Sequence, residues 1–286
     1  MTVADPGLPF WVPSAALQRH LNRTATGNPD QDWLSHVRLH HLGATLRNVL
    51  VLNCGPGYLE RALARHSGIE RILSVDADPD AVARARLQAE RLHLPTISYA
   101  VLDPERDGIP AGPWDAVLAE GLLHHVVGLE DLYARITAQL SPRGRVVFSD
   151  YTGPARFQHG EQTWQMVDRY FRLLPEHLRR DPESGRIAWV RERVDAARLA
   201  RELPAEAARS EEILPLARRA FARRVELSGG GGLLHPLLSG FAIRFRAGED
   251  ERLLEVLCAA EADLAATGVA PAIFTVFVGE RRDGMT

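Results

Sequence analysis

In VLNCGPGYLERAL, residues 50–62, a short apolar run meets a glycine turn at Asn53, Gly55 and Gly57 and passes directly into helical spacing. Glycine at such a turn lets the main chain come within van der Waals distance of a ligand, and Pro56 stiffens the turn between the two. Further on, SVDADPDAV sets Asp76 about twenty residues beyond the glycines, where a carboxylate at a strand end takes both ribose hydroxyls of an adenosine. A dinucleotide would require a third glycine at position 60. Glu60 stands there, and its charge would oppose a pyrophosphate at the helix N-terminus. The chemistry indicated is recognition of an adenosine without phosphates.

A second group of residues has the chemistry to move a proton. His124 and His125 follow Glu120 in AEGLLHHV, and a histidine titrates near neutrality, as a general base should. Successive helical residues point about 100° apart, so at most one of the pair faces a pocket, with His125 preferred; the alternative that both cap or pack stays open. Asp150 and Tyr151 close a later apolar run, and adjacent strand residues face opposite sides, so one of them is expected in a cleft. His235 lies in the glycine-rich stretch SGGGGLLHP, read as a loop, as a substrate contact or as a histidine bonded to backbone. The pairs His40/His41 and His124/His125 raise the question of a metal. Neighbouring histidines on a helix diverge, and no carboxylate accompanies either pair at ligand spacing, so no metal site is expected. Arg169, Arg172, Arg179 and Arg180 read either as an anchor for an acidic substrate or as a solvated helical face.

These residues need a frame that gathers them, and the region from about 48 to 150 supplies one. The apolar runs NVLVLN, RILSVDA, TISYAVL, WDAVLAEG and GRVVFSDY alternate with helical segments such as YLERALARHSG and PDAVARARLQAERLHL. Such alternation is the signature of a parallel sheet with helices on both faces, an α/β doubly wound fold. LEDLYARITAQLSPRG is expected to end its helix at the Pro/Gly pair. Residues 1–45 form a mostly helical N-terminal cap with Trp11 and Trp33, and residues 46–286 form the main domain. A polar, Arg-rich helical insertion at about 154–205 interrupts the alternation and is expected to lie over the carboxyl edge of the sheet as a lid. Helix SEEILPLARRAF, strand ARRVELS, helix DERLLEVLCAAEADLAATG and strand AIFTVFVGER then complete the pattern.

Composition narrows the possible functions. The 286 residues are 45% hydrophobic and 25% charged, with a formal charge of −3, a balanced surface that asks for neither nucleic acid nor an anionic membrane. Every basic residue other than histidine is Arg. Schiff-base catalysis and the P-loop both require a lysine ammonium, and the chain has none. Two cysteines, Cys54 and Cys258, are too few for a disulfide framework. With no signal-peptide pattern and no run of about 18 apolar residues, a cytoplasmic protein is expected.

The motifs together resemble the class I S-adenosylmethionine-dependent methyltransferases. Their acid-x-Gly-x-Gly-x-Gly turn is matched at Asn53, Gly55 and Gly57, with Leu59 at the last glycine. Asp76 matches the ribose-binding acid, VLDPE brings Asp103 to the adenine position, and WDAVLAEGLLHHV and LSPRGRVVFSDY match the fourth and fifth strands. DYTGPARFQ, RSEEILPLARRAF and GGGGLLHPLL resemble a bacterial subgroup associated with small-molecule and natural-product pathways. The resemblance implies a Rossmann-like seven-stranded sheet of order 3-2-1-4-5-7-6 with its last strand antiparallel. It implies S-adenosyl-L-methionine held by Asn53, Gly55, Gly57, Asp76, Ala77, Leu102, Asp103 and Glu120, and methyl transfer to a small-molecule acceptor by in-line displacement. Lids of this kind often meet at a dimer interface, so a homodimer is compatible with the reading. Asn53 departs from the family. An amide keeps the hydrogen-bond acceptor but loses the charge that helps hold the cofactor's ammonium, at a cost of about 1 kcal/mol. That departure and the missing third glycine support a rival reading, a protein that binds the cofactor without methyl transfer, as a cyclase or a partner subunit. A nicotinamide oxidoreductase is a more distant rival.

Overall fold

The computed structural model describes residues 14–43, 46–66, 68–181, 184–239, 245–246 and 248–282, apart from the side chain of Arg223; Trp11 lies outside them. The apolar runs form β1 (Asn48–Leu52), β2 (Arg71–Asp76), β3 (Ile97–Val101), β4 (Trp114–Glu120), β5 (Leu140–Tyr151), β6 (Ala222–Ser228) and β7 (Phe274–Glu280). They make one sheet in the order β3-β2-β1-β4-β5-β7-β6. The first five pair in parallel, and β7 runs antiparallel between β5 and β6.

The helices are α1 (Ala15–Thr26), α2 (Trp33–His40), α3 (Tyr58–Ala64), α4 (Pro79–Arg91), α5 (Leu129–Gln139), α6 (Glu161–Leu173), α7 (Glu176–Arg179), α8 (Ala196–Glu202), α9 (Ile213–Ala220), α10 (Leu234–Leu238) and α11 (Glu251–Ala266). Short polar side chains start several of them by accepting otherwise orphaned N–H groups. Ser14 accepts from Leu17 N–H at 3.2 Å, and Asp32 from Ser35 N–H at 2.8 Å. Asp78 caps α4 from Asp80 N–H at 2.8 Å, with Pro79 in the first turn, where its missing donor is harmless.

Alternation along β1 divides the core between the two faces of the sheet. Leu50 and Leu52 pack in one cluster with Tyr133 of α5 and Ile213 of α9. Val49 and Val51 face the other way, onto Val37 of α2 and Leu63 of α3. Strand order reverses between β1 and β4, which is where an open α/β sheet leaves a crevice at its carboxyl edge.

The structure departs from the sequence expectation in three places. The N-terminal helices do not act as one cap: α2 covers a sheet face, while Leu17 of α1 joins a separate cluster. That cluster also contains Trp164, Val167 and Phe171 of α6, Leu234 and Leu237 of α10, and Leu254 and Leu257 of α11. The layer over the site is therefore built from three separate chain segments, because no single one buries its apolar face alone. The α5 helix stops at Gln139, ahead of the Pro/Gly pair. Leu140 already pairs with Trp114, and the register then jumps to Ala116 with Arg145, leaving Pro142 in a bulge where it owes no ladder hydrogen bond.

A buried acid locks the helical layer together. Glu261 of α11, 2% exposed, accepts from the N–H groups of Gly231 (3.0 Å), Leu233 (3.0 Å) and Leu234 (2.7 Å) and pairs with His20 Nε2 of α1 at 3.0 Å. Burial by itself would raise its pKa, but the histidine and the converging N–H groups outweigh burial and hold the carboxyl below the ordinary range. Among the described residues no helix is long and apolar enough to cross a membrane.

Candidate active site

The glycine turn after β1 is held from both neighbouring strands. Asp76, at the end of β2, accepts from Gly55 N–H through Oδ2 and from Asp78 N–H through Oδ1, both at 2.9 Å. On the other side Asn53 Nδ2 donates to Glu120 O at 3.2 Å, at the end of β4. A carboxylate could not donate there. Asn53 also has φ 65°, in the left-handed region that asparagine enters more readily than most residues. Structural demands therefore account for the amide.

The two glycines serve different purposes. A side chain at Gly57, with φ 80°, would meet Glu60 Oε1 at 2.8 Å and Ala85 Cβ at 3.0 Å, so this glycine is required by internal packing. At Gly55 nothing lies within 4 Å, and this is where the turn opens. The argument from Glu60 against a pyrophosphate also changes. Its side chain is fully buried under the turn, and burial raises its pKa, so it does not stand at the helix mouth as an exposed charge. Cys54, buried beside it, has its thiol pushed up to about 12 by burial first and by Glu60 and Asp76 next, and is inert.

Across the cavity, Asp150 holds His124. The Asp150 carboxylate, buried at the end of β5, accepts Leu123 N–H at 2.7 Å, Tyr151 N–H at 2.8 Å and the His124 ring at Nδ1, 2.6 Å away. A carboxylate only accepts, so Nδ1 carries the hydrogen and Nε2 faces outward. Burial works to lower the His124 pKa, but Asp150, through charge and hydrogen bond, and Glu206 outweigh it, and the net shift is upward. His124 lines the cavity, with its Cε1 4.0 Å from where a side chain on Gly121 would begin.

His125, the one preferred from sequence, is instead turned outward, 47% exposed at the side chain, with Nδ1 2.8 Å from Glu206 Oε2. The geometric ground for setting a metal aside also fails. The two imidazoles sit in a short 3-10 turn with ring centroids 3.9 Å apart, and Glu206 arrives from the end of the lid to meet both. His40 and His41 cluster with His36 at the end of α2, with His36 and His40 ring centroids 4.6 Å apart.

Asp150 and Tyr151 both line the cavity, whereas strand alternation led to the expectation of one. Tyr151 donates its hydroxyl to Pro154 O at 2.8 Å, and burial raises its pKa, so it acts as an aromatic wall. His235 belongs to α10 and not to a loop. It stands among Tyr151, Phe157 and Phe274 at centroid distances of 5.9, 5.9 and 5.2 Å. Burial, then the neighbouring His159 and His124, bring its pKa down to about 4, so it is neutral near pH 7.

The cavity has a volume of about 2330 Å³ and is walled by Asn53, Gly55, Glu120, His124, Glu206 and the aromatic group. Ligand pockets typically measure about 300–1,000 Å³, so there is room here for a nucleoside and a sizeable second molecule. Glu120 lines this cavity as an exposed residue. The protein packed around it pushes its carboxyl up to about 7; a hydrogen bond from Trp33 works against this, and Asp150, Asp32 and Glu60 add to it.

Ala77, Leu102 and Asp103 stand at the ends of β2 and β3 and do not line the cavity, nor do Asp76 and Gly57. Leu102 N–H donates to Asp76 O at 2.9 Å, and Asp103 caps its own turn from Glu105 N–H at 2.9 Å. The lid arginines mostly knit the lid. Arg179 is buried against Leu174 O and Ala188 O, Arg172 donates to Trp189 O, and Arg180 donates to Gly185 O. Sequence reading missed Glu206, Phe157, Phe274 and Arg156, whose guanidinium donates to the carbonyls of Leu203, Pro204 and Glu206. Only GPARFQ carried a signal for any of them.

Comparison with known proteins agrees with this architecture. Residues 49–144 match the family described as "Methyltransferase domain". Residues 49–144 therefore carry a methyltransferase domain, on a sheet with the class I strand order. It is 31% identical over 145 residues to trans-aconitate 2-methyltransferase of Streptomyces avermitilis, covering 49% of this chain and 51% of that protein. The chain thus spans about half the length of this curated relative. Among solved structures it is similar to a putative sarcosine dimethylglycine methyltransferase from Galdieria sulphuraria, with TM-score 0.51 and 14% identity over 88% of this chain and 84% of that one. It is also similar to the [4+2]-cyclase SpnF, with TM-score 0.52 and 15% identity over 94% of each chain. At these identities the likeness is one of fold.

Proposed function

We propose that this methyltransferase domain transfers the methyl group of S-adenosylmethionine to a hydroxyl of a small-molecule acceptor, of the size and apolar character of a secondary metabolite. One observation carries the reading: the glycine turn and the Asp150–His124 pair wall the same cavity. When bound, the cofactor supplies a methyl group activated on a positively charged sulfur. The residues fit it. Gly55 leaves open space beside the turn, and Asp76, buried directly behind the turn and outside the cavity wall, uses two N–H partners while a carboxylate offers about four acceptor sites, so that capacity for ribose hydroxyls remains on this carboxylate. Ala77, Leu102 and Asp103, at neighbouring strand ends, would flank the adenine. Glu120 supplies the negative charge that Asn53 lacks.

The aromatic group of Tyr151, Phe157, His235 and Phe274 receives the apolar body of the acceptor. His124, oriented by Asp150, presents Nε2 to the acceptor hydroxyl and takes its proton as the oxygen attacks. The rival reading, binding without transfer, drew on Asn53 and on the missing third glycine; the structural task of the amide removes the first of these supports. Incubation with S-adenosylmethionine and a panel of hydroxylated aromatic and polycyclic acceptors should give S-adenosylhomocysteine and methylated product. Tight cofactor uptake with no turnover across such a panel would favour the rival.

The Glu120 carboxyl makes cofactor binding depend on pH. Free, it titrates at about 7; a bound cation favours its ionised form, so uptake releases a proton. Affinity is expected to rise through about pH 7 and to fall by up to about tenfold per unit below it. Calorimetry in buffers of different ionisation enthalpy should record the released proton, and Glu120→Gln should flatten the profile. A flat profile in the unaltered protein would remove Glu120 from the cofactor site.

A further inference from the structure

His124, His125 and Glu206 form a group that the methyl-transfer reading uses only in part. His124 Nε2 lies 3.9 Å from Glu206 Oε1, His125 Nδ1 lies 2.8 Å from Glu206 Oε2, and the ligand atoms of all three fall within 4.8 Å of one another. We infer that these three side chains bind a divalent first-row transition-metal ion at the wall of the acceptor cavity.

The outer contacts are those of a built site. A metal-ligating imidazole characteristically donates its second N–H to a carboxylate, which fixes the tautomer and aims the free nitrogen. Asp150 does this for His124 at 2.6 Å, from a fully buried position. The third ligand is also locked in place through the main chain. Ala207 N–H, next to Glu206, donates to His124 O at 2.8 Å, and Arg156 N–H donates to Ala207 O at 2.7 Å. Lid and histidine turn therefore meet at a fixed distance.

Charge points the same way. Two carboxylates, Asp150 and Glu206, meet the two imidazole rings here, a donor set whose charge a cation would balance. A divalent cation supplies that balance. Arg156 lies near, but its guanidinium is spent on backbone carbonyls. Metal–nitrogen bonds of about 2.0–2.1 Å place ligand atoms roughly 3.0–3.5 Å apart, so the present spacing needs shifts of about half an ångström or slightly more. Two imidazoles and one carboxylate suit zinc, cobalt, nickel or iron(II) better than magnesium or calcium.

This inference rests on the methyl-transfer reading only for its consequence. An acceptor hydroxyl in an open coordination position would ionise more readily: its O–H bond breaks, the electron pair stays on oxygen, and the proton leaves to solvent water. His124 would then serve as ligand, not proton acceptor.

The test uses the full chain, stripped with a chelator and titrated with Co²⁺ as a spectroscopic probe. One equivalent is expected to bind, with visible bands of a low-coordinate nitrogen/oxygen site. Glu206→Gln and His125→Asn should weaken binding by at least about tenfold, with thermal midpoint and S-adenosylmethionine affinity unchanged. His125, half exposed, tolerates replacement even if Glu206 does not. Absence of Co²⁺ binding, or equal binding by both variants, would overturn the inference; equal binding would place the ion elsewhere, such as at the His36 cluster. Cofactor calorimetry on the same samples keeps the two readings separable, since loss of cofactor uptake would count against methyl transfer and not against the metal.

Discussion

Replacing His124 with alanine is expected to lower kcat by about 10²- to 10⁴-fold, the range for loss of a positioned proton acceptor. Cofactor affinity should stay within a few-fold of the unaltered protein. The separation follows from the layout. His124 stands on the 3-10 turn after β4, oriented from β5 by Asp150, whereas the glycine turn is held from β2 by Asp76. His124 is 16% exposed at its side chain and stands beside Tyr151 on the acceptor side of the cavity, so its truncation opens space there. The same direction holds whether Nε2 accepts the proton or ligates a cation that ionises the acceptor, because both place this nitrogen against the reacting oxygen. Turnover measured by S-adenosylhomocysteine release, beside calorimetry of cofactor binding, reads the two effects apart. A variant with near-normal kcat would remove His124 from the reaction.

Asp76→Ala should weaken S-adenosylmethionine binding by about 100-fold or more. Hydrogen bonds to a charged group contribute about 1.5–3 kcal/mol each, and two ribose hydroxyls lost together exceed about 3 kcal/mol, which is more than two decades in affinity. The substitution also releases Gly55 N–H and Asp78 N–H, so the turn itself loses its anchor on β2. Asp76→Asn gives a second measurement: the amide retains one acceptor oxygen and should lose less than alanine does. Calorimetric titration of each variant, with a thermal melt to report global folding, checks the expectation. Undiminished uptake by a well-folded Asp76→Ala protein would dismiss the ribose assignment.

The sheet could be read from the chain because its signals are local. NVLVLN, RILSVDA and GRVVFSDY are short apolar runs, each bounded by turn residues, and alternation with helical spacing leaves few ways to lay them out. ARRVELS matches β6 in full, and AIFTVFVGER contains β7. The glycine turn and Asp76 were legible for the same reason, since turn geometry and strand ends are encoded within a few residues. The choice between His124 and His125 was not. Helical spacing says that neighbours diverge, but the two sit in a single 3-10 turn, and Asp150 across β5 captures one while Glu206 from the lid captures the other.

Residue types and spacing alone thus determined the doubly wound sheet, the position of the crevice beside β1, and the preference for an adenosine ligand, because each depends on contacts near in the chain. Only the tertiary structure decided that Asn53 ties β1 to β4, that Glu60 turns inward, and that Glu120 gains its shifted carboxyl from the protein packed around it. It also decided that Glu206 joins the histidines and that α1, α6, α10 and α11 form one layer over the site. Those outcomes depend on burial and on charges brought together from distant segments, and neither quantity exists until the chain has folded.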